Sequence, residues 1–265
     1  MKSPYQIGWV PKMFTWMNVV FLSLPILIVI IISFSSTNDL TFPPTGISLR
    51  WYFNIFERAE FSESFGYSLF LAVVAPLLSV VIGGMCSIAL VRYRFRGRAW
   101  VNNLVLFPLM VPEVVLGLSL LILFSKLHWY NPILNILILH VILTLPYAVK
   151  VISSNLYRFD LSLEEAARVF GAGKIKTFFR ITLPIIKPGI VSASIFAFVV
   201  SFGNFTATLF LIKKRGTLPI QMYSYITTEN DPTVAAVSAL LIIMTVVLIL
   251  ILEKSFNLKV FTSKS

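Results

Sequence analysis

The sequence predicts an all-α membrane protein with six transmembrane helices, and three observations support this fold class. Only 12% of the residues are charged and 57% are hydrophobic, whereas about a quarter of the residues in ordinary soluble domains are charged. Six apolar runs reach the length of about 20 residues that a helix needs to cross a bilayer. The basic residues gather in the segments between these runs. We therefore expect one transmembrane domain over residues 1–265.

Each predicted span is an uninterrupted, mainly apolar run. Such runs suit helices, because backbone groups in lipid must be satisfied within their own segment, and the alternation typical of barrel strands is absent. The first run is too long for the apolar core of a signal peptide and lacks a small-residue cleavage site, so we expect an uncleaved span. The predicted spans cover residues 14–34, 65–91, 100–124, 132–152, 186–212 and 233–252.

The lysines and arginines predict the orientation of the chain. With the N-terminus inside, the cytoplasmic segments hold 16 of the 22 basic residues and the outer segments hold 6. The positive-inside rule then places both termini in the cytoplasm, with residues 213–215 as a local basic exception outside. Residues 49–56 are expected to form a short amphipathic helix at the outer interface. Packing on the membrane surface and contact with an extracytoplasmic partner both remain open for this helix.

The residues that catalysis or metal binding would need are missing from the sequence. The single cysteine, Cys86, permits neither an internal disulfide nor a thiolate cluster. His128 and His140 have no neighbouring cysteine or carboxylate set that would form a metal site or a catalytic triad. The Gly173–Lys174 pair lacks the Ser or Thr that completes a phosphate-binding loop. We therefore predict no catalytic residue, no metal and no cofactor in this chain, which is not an enzyme.

The loop over residues 158–188 is polar and carries a specific pattern. Ser162 is expected to cap a short helix, with Glu165 at the third helical position of a capping box. The helix should continue through Phe170, and Gly171 suits a left-handed C-terminal cap. A second short helix over 174–180 should end before two prolines at 184 and 188, because proline breaks an established helix. The specified positions are Glu165, Ala166, Ala167, Gly171, Ile181, Leu183 and Pro184.

This spacing resembles the cytoplasmic loop of MetI-like, type I ABC importer permeases. In that family the first short helix is a coupling helix, which docks on a separate ATPase. The resemblance implies that Glu165, Ala166, Ala167 and Gly171 contact the ATPase. It also implies that Ile181, Leu183 and Pro184 position the second helix and the start of the fifth span.

Further segments are similar to the C-type subunit of spermidine/putrescine permeases. They are residues 108–117, 218–225 and 231–236, and the similarity covers about residues 10–255. It implies a multi-pass permease of the bacterial inner membrane that forms half of a translocation pathway for a polyamine. The implied partners are a second permease (another chain or a second copy), an ATPase dimer that holds ATP and Mg, and an extracytoplasmic substrate-binding protein. Nucleic acid is not expected as a partner.

Three residues are candidates for the translocation pathway. Glu113 falls halfway along the predicted third span, where an ionisable side chain indicates function. It could pair with a cationic substrate, with a basic group of the companion permease, or with another helix. Pro112, with Pro108, should kink this span. Asn204 falls in the predicted fifth span, where C-type polyamine permeases typically carry acidic residues, and an amide cannot balance an ammonium charge.

Two alternative functions follow from these residues. The first is import of a different solute, such as an amino-acid derivative or a phosphonate, because Asn204 is not acidic. The second is an autonomous secondary transporter, which would need paired ionisable groups within the membrane or inverted repeats.

Overall fold

The computed structural model describes residues 8–213 and 216–256, and these residues are predominantly helical. Within the described ranges no β-strand forms, and an isolated antiparallel bridge pairs Ser35 with Ile47. The predicted all-α class is confirmed. Five basic residues used in the charge count lie outside the described residues: Lys2, Lys214, Arg215, Lys259 and Lys264.

The helices are numbered here in chain order. They are α1 (Trp9–Ile32), α2 (Arg50–Glu57), α3 (Ala59–Arg92), α4 (Arg98–Leu106), α5 (Glu113–Lys126), α6 (Pro132–Tyr157), α7 (Ser162–Val169), α8 (Lys174–Thr177), α9 (Leu183–Phe202), α10 (Leu218–Thr228) and α11 (Thr233–Phe256). The chain divides into two compact units. Among the described residues, one unit contains 8–62 together with Met222–Met244, and the other contains 63–213, 216–221 and 245–256.

Within residues 8–213 and 216–256, five helical segments are long and apolar enough to cross a membrane: α1, α3, α6, the segment Lys174–Phe202 and α11. The predicted third span is different, because it consists of two helical segments, Arg98–Leu109 and Glu113–Lys126, that lie at 105° to one another. The kink expected at Pro108 and Pro112 is therefore present, but the uninterrupted helix over 100–124 is wrong. Proline disfavours helical backbone at the residue before it, so Pro112 ends the first half and becomes the N-cap of α5.

The fifth span starts earlier and ends earlier than predicted. A π-helical turn over Phe178–Thr182 joins α8 to α9, so Lys174–Phe202 is one helical segment. The expected break at Pro184 is therefore wrong. The π turn widens the helix just before this proline, which accommodates its ring and its missing N–H. The helix stops at Phe202 instead of 212, and Asn204 follows it outside any helix.

In the first unit, α1 and α2 have opposite surroundings. No part of the most apolar stretch of α1 is buried in the protein, as expected of a helix that faces lipid or a partner. In α2, which confirms the short helix predicted over 49–56, Trp51 is buried and its indole Nε1 donates to the Ser35 carbonyl at 2.7 Å. Asn54 donates to the Thr233 hydroxyl at 2.8 Å, which attaches α2 to the start of α11.

The second unit packs around α6. A buried apolar cluster at one end of α6 contains Leu71, Leu120, Phe124, Ile136, Leu139, Leu143, Ala207 and Leu211. At Gly117, an added Cβ would lie 2.6 Å from the Ala207 carbonyl oxygen. The close contact between α5 and this backbone therefore requires glycine at position 117. Between α3 and α6, Ser79 and Thr144 share a buried hydrogen bond of 2.6 Å. Small and hydroxylated side chains of this kind allow close packing of helices in a membrane.

Candidate functional site

Helix α7 begins differently from the predicted capping box. Ser162 is the first helical residue and its side chain caps nothing, so the capping box with Glu165 is wrong. Instead, the Asp160 carboxylate accepts a hydrogen bond of 3.0 Å from the Ser162 backbone N–H. Hydrogen bonds from the backbone and side chain of Ser162 lower the pKa of Asp160 below its ordinary value. An aspartate two residues ahead of a helix can supply this acceptor locally, and here it displaces the serine.

The C-terminal end of α7 agrees with the sequence. Gly171 has a φ of 78°, the left-handed conformation expected of it. Its N–H donates to the Arg168 carbonyl at 2.9 Å, and the Ala172 N–H donates to the Ala167 carbonyl at 3.0 Å. This pair of bonds forms a Schellman motif, which satisfies the last carbonyls of the helix.

Glu164, which was not a sequence candidate, anchors α7 in the second unit. It is buried, and both of its carboxylate oxygens lie 2.5 Å from Nη1 of Arg92 at the end of α3. The Thr182 hydroxyl, just before α9, donates to the same carboxylate, and Arg168 lies 3.8 Å away. Burial raises the pKa of Glu164, but the hydrogen bonds and charges of these partners outweigh it and lower the pKa.

Glu164 was missed because the motif draws attention to its neighbour. Two adjacent acids on a helix lie on different faces, so one of them can face inward while the other faces outward. The signal available in the sequence was Arg168, four residues further on and hence on the same face as Glu164.

The predicted ATPase-contacting residues lie mainly at the surface of the loop. Glu165, Ala166 and Gly171 are exposed, and Ala167 is half-buried. Ile181 is half-buried and packs against the cluster of Ile152, Leu156, Phe159, Ile186 and Ala193. Leu183 is half-buried and Pro184 is exposed.

Three large apolar side chains beside these positions are unusually exposed, and the sequence reasoning did not single them out. Val169 is 85% exposed, Phe170 is 90% exposed and Ile175 is 77% exposed. They flank the Gly171 cap in the sequence and are more exposed than the other apolar side chains of the loop. Clustered exposed apolar side chains of this kind mark a surface that a partner covers.

The predicted pathway residues meet at the break between α4 and α5. Glu113 is the first residue of α5, directly after Pro112, and not halfway along a continuous span. Glu113 is exposed, and Nδ2 of Asn204 donates to its Oε2 at 2.9 Å. The prediction treated these two residues separately. The structure brings them together because the fifth span ends at Phe202 and lets the chain turn toward α5.

Behind Asn204 lies a buried polar chain that the sequence reasoning missed. Oδ1 of Asn204 accepts from the Thr208 backbone N–H at 3.2 Å and from the Thr208 hydroxyl at 2.7 Å. The hydroxyl oxygen of Thr208 lies 3.1 Å from Nε2 of His140, and Nδ1 of His140 lies 2.7 Å from the Ser201 hydroxyl. His140, Ser201, Asn204 and Thr208 are all buried.

This polar chain could not be predicted from local sequence, because Ser201 and Thr208 are more than sixty residues from His140. The available signal was a histidine in an apolar run together with Ser201, Asn204 and Thr208 recurring every three to four residues elsewhere. Polar side chains in such runs must find partners, because unpaired polar groups are costly away from water.

Comparisons with known proteins agree with this architecture. The family model described as binding-protein-dependent transport system inner membrane component matches residues 79–257. The putrescine transport system permease protein PotI of Escherichia coli (strain K12) is 34% identical over 91% of this chain and 86% of its own length. The spermidine/putrescine transport system permease protein PotC of Haemophilus influenzae is 30% identical over 87% of this chain and 90% of its own.

Two solved structures share the fold at low sequence identity. A chain of a bacterial ABC transporter involved in the import of the acidic polysaccharide alginate covers 98% of this chain and 100% of its own length, with a TM-score of 0.63 and 18% identity. A chain of the MetNI methionine ABC transporter in an inward-facing conformation covers 75% of this chain and 94% of its own, with a TM-score of 0.62 and 16% identity.

Proposed function

This chain belongs to the family of binding-protein-dependent transport system inner membrane components, and we propose that the cargo of its importer is a polyamine. Membership makes the chain an inner-membrane permease subunit of an ABC importer, with ATP hydrolysis on a separate subunit. The alternative of an autonomous secondary transporter is therefore set aside. The observation that carries the polyamine proposal is the similarity to putrescine and spermidine/putrescine permeases over about nine-tenths of the chain.

The site at Glu113 supports a cationic cargo. Glu113 is exposed at a break in the helix, and among the described residues its carboxylate is held by a neutral amide and by no basic side chain. A carboxylate without a cationic partner favours an ammonium group more than one whose charge is already balanced. Asn204 then needs no charge of its own, because it orients the acid that supplies one. Glu113, Asn204 and Pro112 are thus assigned to the translocation pathway, with Pro112 creating the break.

The loop over 158–188 is assigned to coupling with the ATPase. Glu165, Ala166, Ala167 and Gly171 would contact the ATPase, and the exposed Val169 and Phe170 extend the contact surface. The companion subunits would be a second permease, an ATPase dimer that binds ATP and Mg, and an extracytoplasmic binding protein.

Within this loop, motion would reach the spans through defined contacts. The buried Glu164 joins α7 to the end of α3 and, through Thr182, to the start of α9. Ile181, Leu183 and Pro184 continue the connection into α9.

The cargo is tested by reconstituting the complete importer in proteoliposomes. We expect ATP-dependent uptake of labelled putrescine or spermidine, and no uptake of anionic solutes of similar size. Uptake of a neutral or anionic solute without any polyamine uptake would contradict the proposed cargo.

Coupling is tested in the same importer with Glu165→Lys, which reverses an exposed charge on α7. We expect polyamine uptake to fall, while the variant still inserts in the membrane and still assembles with the second permease in the usual amount. Ser162→Lys, at an exposed position of the same helix, serves as the control. Normal substrate-stimulated ATP hydrolysis and uptake in Glu165→Lys would refute the assignment.

A further inference from the structure

The buried polar chain behind Glu113 has one direction. It runs from the Ser201 hydroxyl through His140, Thr208 and Asn204 to the Glu113 carboxylate. Each link joins one donor to one acceptor, so the position of one proton determines the others.

The direction is set at the backbone of Thr208. A backbone N–H can only donate, and the Thr208 N–H lies 3.2 Å from the side-chain oxygen of Asn204. Turning the Asn204 amide over would place its NH₂ group against this N–H and leave two donors facing each other. The amide therefore presents its NH₂ to Glu113, and Oε2 of Glu113 accepts.

The same reasoning assigns the proton on His140. The Thr208 hydroxyl donates its hydrogen to Oδ1 of Asn204 at 2.7 Å. The hydroxyl oxygen must therefore accept from Nε2 of His140 at 3.1 Å. His140 therefore carries a proton on Nε2, and because its burial disfavours a second proton that would charge the ring, the ring is the neutral Nε2–H tautomer. Its bare Nδ1 accepts from the Ser201 hydroxyl at 2.7 Å.

We propose that His140 and Thr208 are positioning residues for the Glu113 carboxylate, acting through Asn204. The inference rests on the proposed cationic cargo. The polar chain fixes the Asn204 amide, which holds Oε2 of Glu113 as an acceptor. Among the described residues Oε1 of Glu113 has no partner, so it is open to an ammonium group. A neutral His140 adds no positive charge that would compete with the cation. A site ordered before its ligand arrives loses less entropy on binding.

The direction of the chain can be measured without any substrate. His128→Asn leaves a single histidine, and asparagine tolerates the positive φ of 52° at this exposed position. In the complete importer carrying this chain labelled with ¹⁵N-histidine, solid-state NMR should show a protonated Nε2 and an unprotonated Nδ1. An Nδ1–H tautomer, or a doubly protonated ring, would reverse or break the chain and overturn the proposal.

The consequence for transport is tested with a matched pair of buried threonines. Thr208→Val removes a hydroxyl from the chain, whereas Thr144→Val removes an equally buried hydroxyl that bonds Ser79 and the His140 carbonyl instead. We expect Thr208→Val to raise the KM for polyamine uptake about tenfold. Thr208→Ser should restore it, and Thr144→Val should stay within about twofold of the unmodified protein. Equal losses in both valine variants, or no change in Thr208→Val, would reduce Thr208 to a packing role.

The two tests separate the inference from the proposed function. An importer that takes up no polyamine contradicts the cargo, while the tautomer of His140 still decides whether the chain has its assigned direction.

Discussion

Glu164 and Glu113 are glutamates of the same compact unit with opposite surroundings. Glu164 is buried against a guanidinium, with Arg92 at 2.5 Å and Arg168 at 3.8 Å. Glu113 is exposed at a helix break and is held by the neutral amide of Asn204 at 2.9 Å. The charge of Glu164 is balanced inside the protein, where the carboxylate joins helices. The hydrogen-bond partner of Glu113 among the described residues is an amide, and under the proposed function its charge stays available to a ligand. The comparison shows that the partners of a glutamate, and not the residue type, distinguish the structural role of Glu164 from the binding role proposed for Glu113.

The largest effect on stability is expected at Glu164. Glu164→Gln keeps the shape of the side chain but removes the charge that pairs with Arg92 in a largely buried setting. We expect a loss of about 3 kcal/mol in stability, because the guanidinium is left without its counter-charge. Thermal melting of the purified protein in detergent measures the loss. Glu165→Gln, at the exposed neighbouring position, should change stability by no more than about 0.5 kcal/mol; equal effects would remove the distinction between the two acids.

Glu113 should show the opposite behaviour. Glu113→Gln keeps an acceptor for Asn204 and leaves an exposed position uncharged, so little change in melting temperature is expected. Polyamine uptake by the reconstituted importer should fall by roughly 30-fold, which corresponds to about 2 kcal/mol for a charged hydrogen bond. Glu113→Asp retains the charge and should lose less. A large drop in stability without a change in transport would show that Glu113 has a structural role, as Glu164 does.

A smaller effect is expected at the end of α7, where two glycines differ in conformation. Gly171 has a φ of 78°, whereas Gly173 has a φ of −68°, and an added Cβ would meet nothing within 4 Å at either position. Gly171→Ala should therefore cost about 1 kcal/mol through backbone strain alone. Gly173→Ala should change stability by only a few tenths of a kcal/mol, because the restriction of the unfolded chain offsets the poorer fit of alanine at the N-cap of α8. Melting temperatures compare the two, and equal effects would show that the Schellman motif does not require glycine.

The smallest effect concerns the pH dependence of the Glu164 pair. The pKa of Glu164 is lowered in the folded protein from its ordinary value of 4.5. The stabilisation is therefore complete above 4.5 and is lost as the pH falls through the lower folded pKa. The difference in melting temperature between the unmodified protein and Glu164→Gln should be constant near neutral pH and shrink below 4.5. A difference that grows on acidification would contradict the assigned sign.

Much of the fold was predictable because its signals are local. Apolar runs of bilayer length predicted five of the spans as helices, and the prolines at 108 and 112 predicted a kink. The extent of that kink, 105°, was not predictable, because bending depends on what the two halves pack against. The π turn before Pro184 was missed for the same reason. Proline indicates where a helix must adapt, but neighbouring helices determine how.

By itself, the sequence determined that this chain is an α-helical membrane protein and that Gly171 takes a left-handed conformation, and it showed that the 158–188 loop resembles a coupling loop. These features depend on composition, spacing and single-residue backbone energetics, which act over a few residues. Only the tertiary structure decided which of two adjacent glutamates is buried, and that Glu113 meets Asn204 in front of His140. Those contacts join residues from 18 to 91 positions apart, and burial and hydrogen-bond partners at such separations are set by helix packing, not by local sequence.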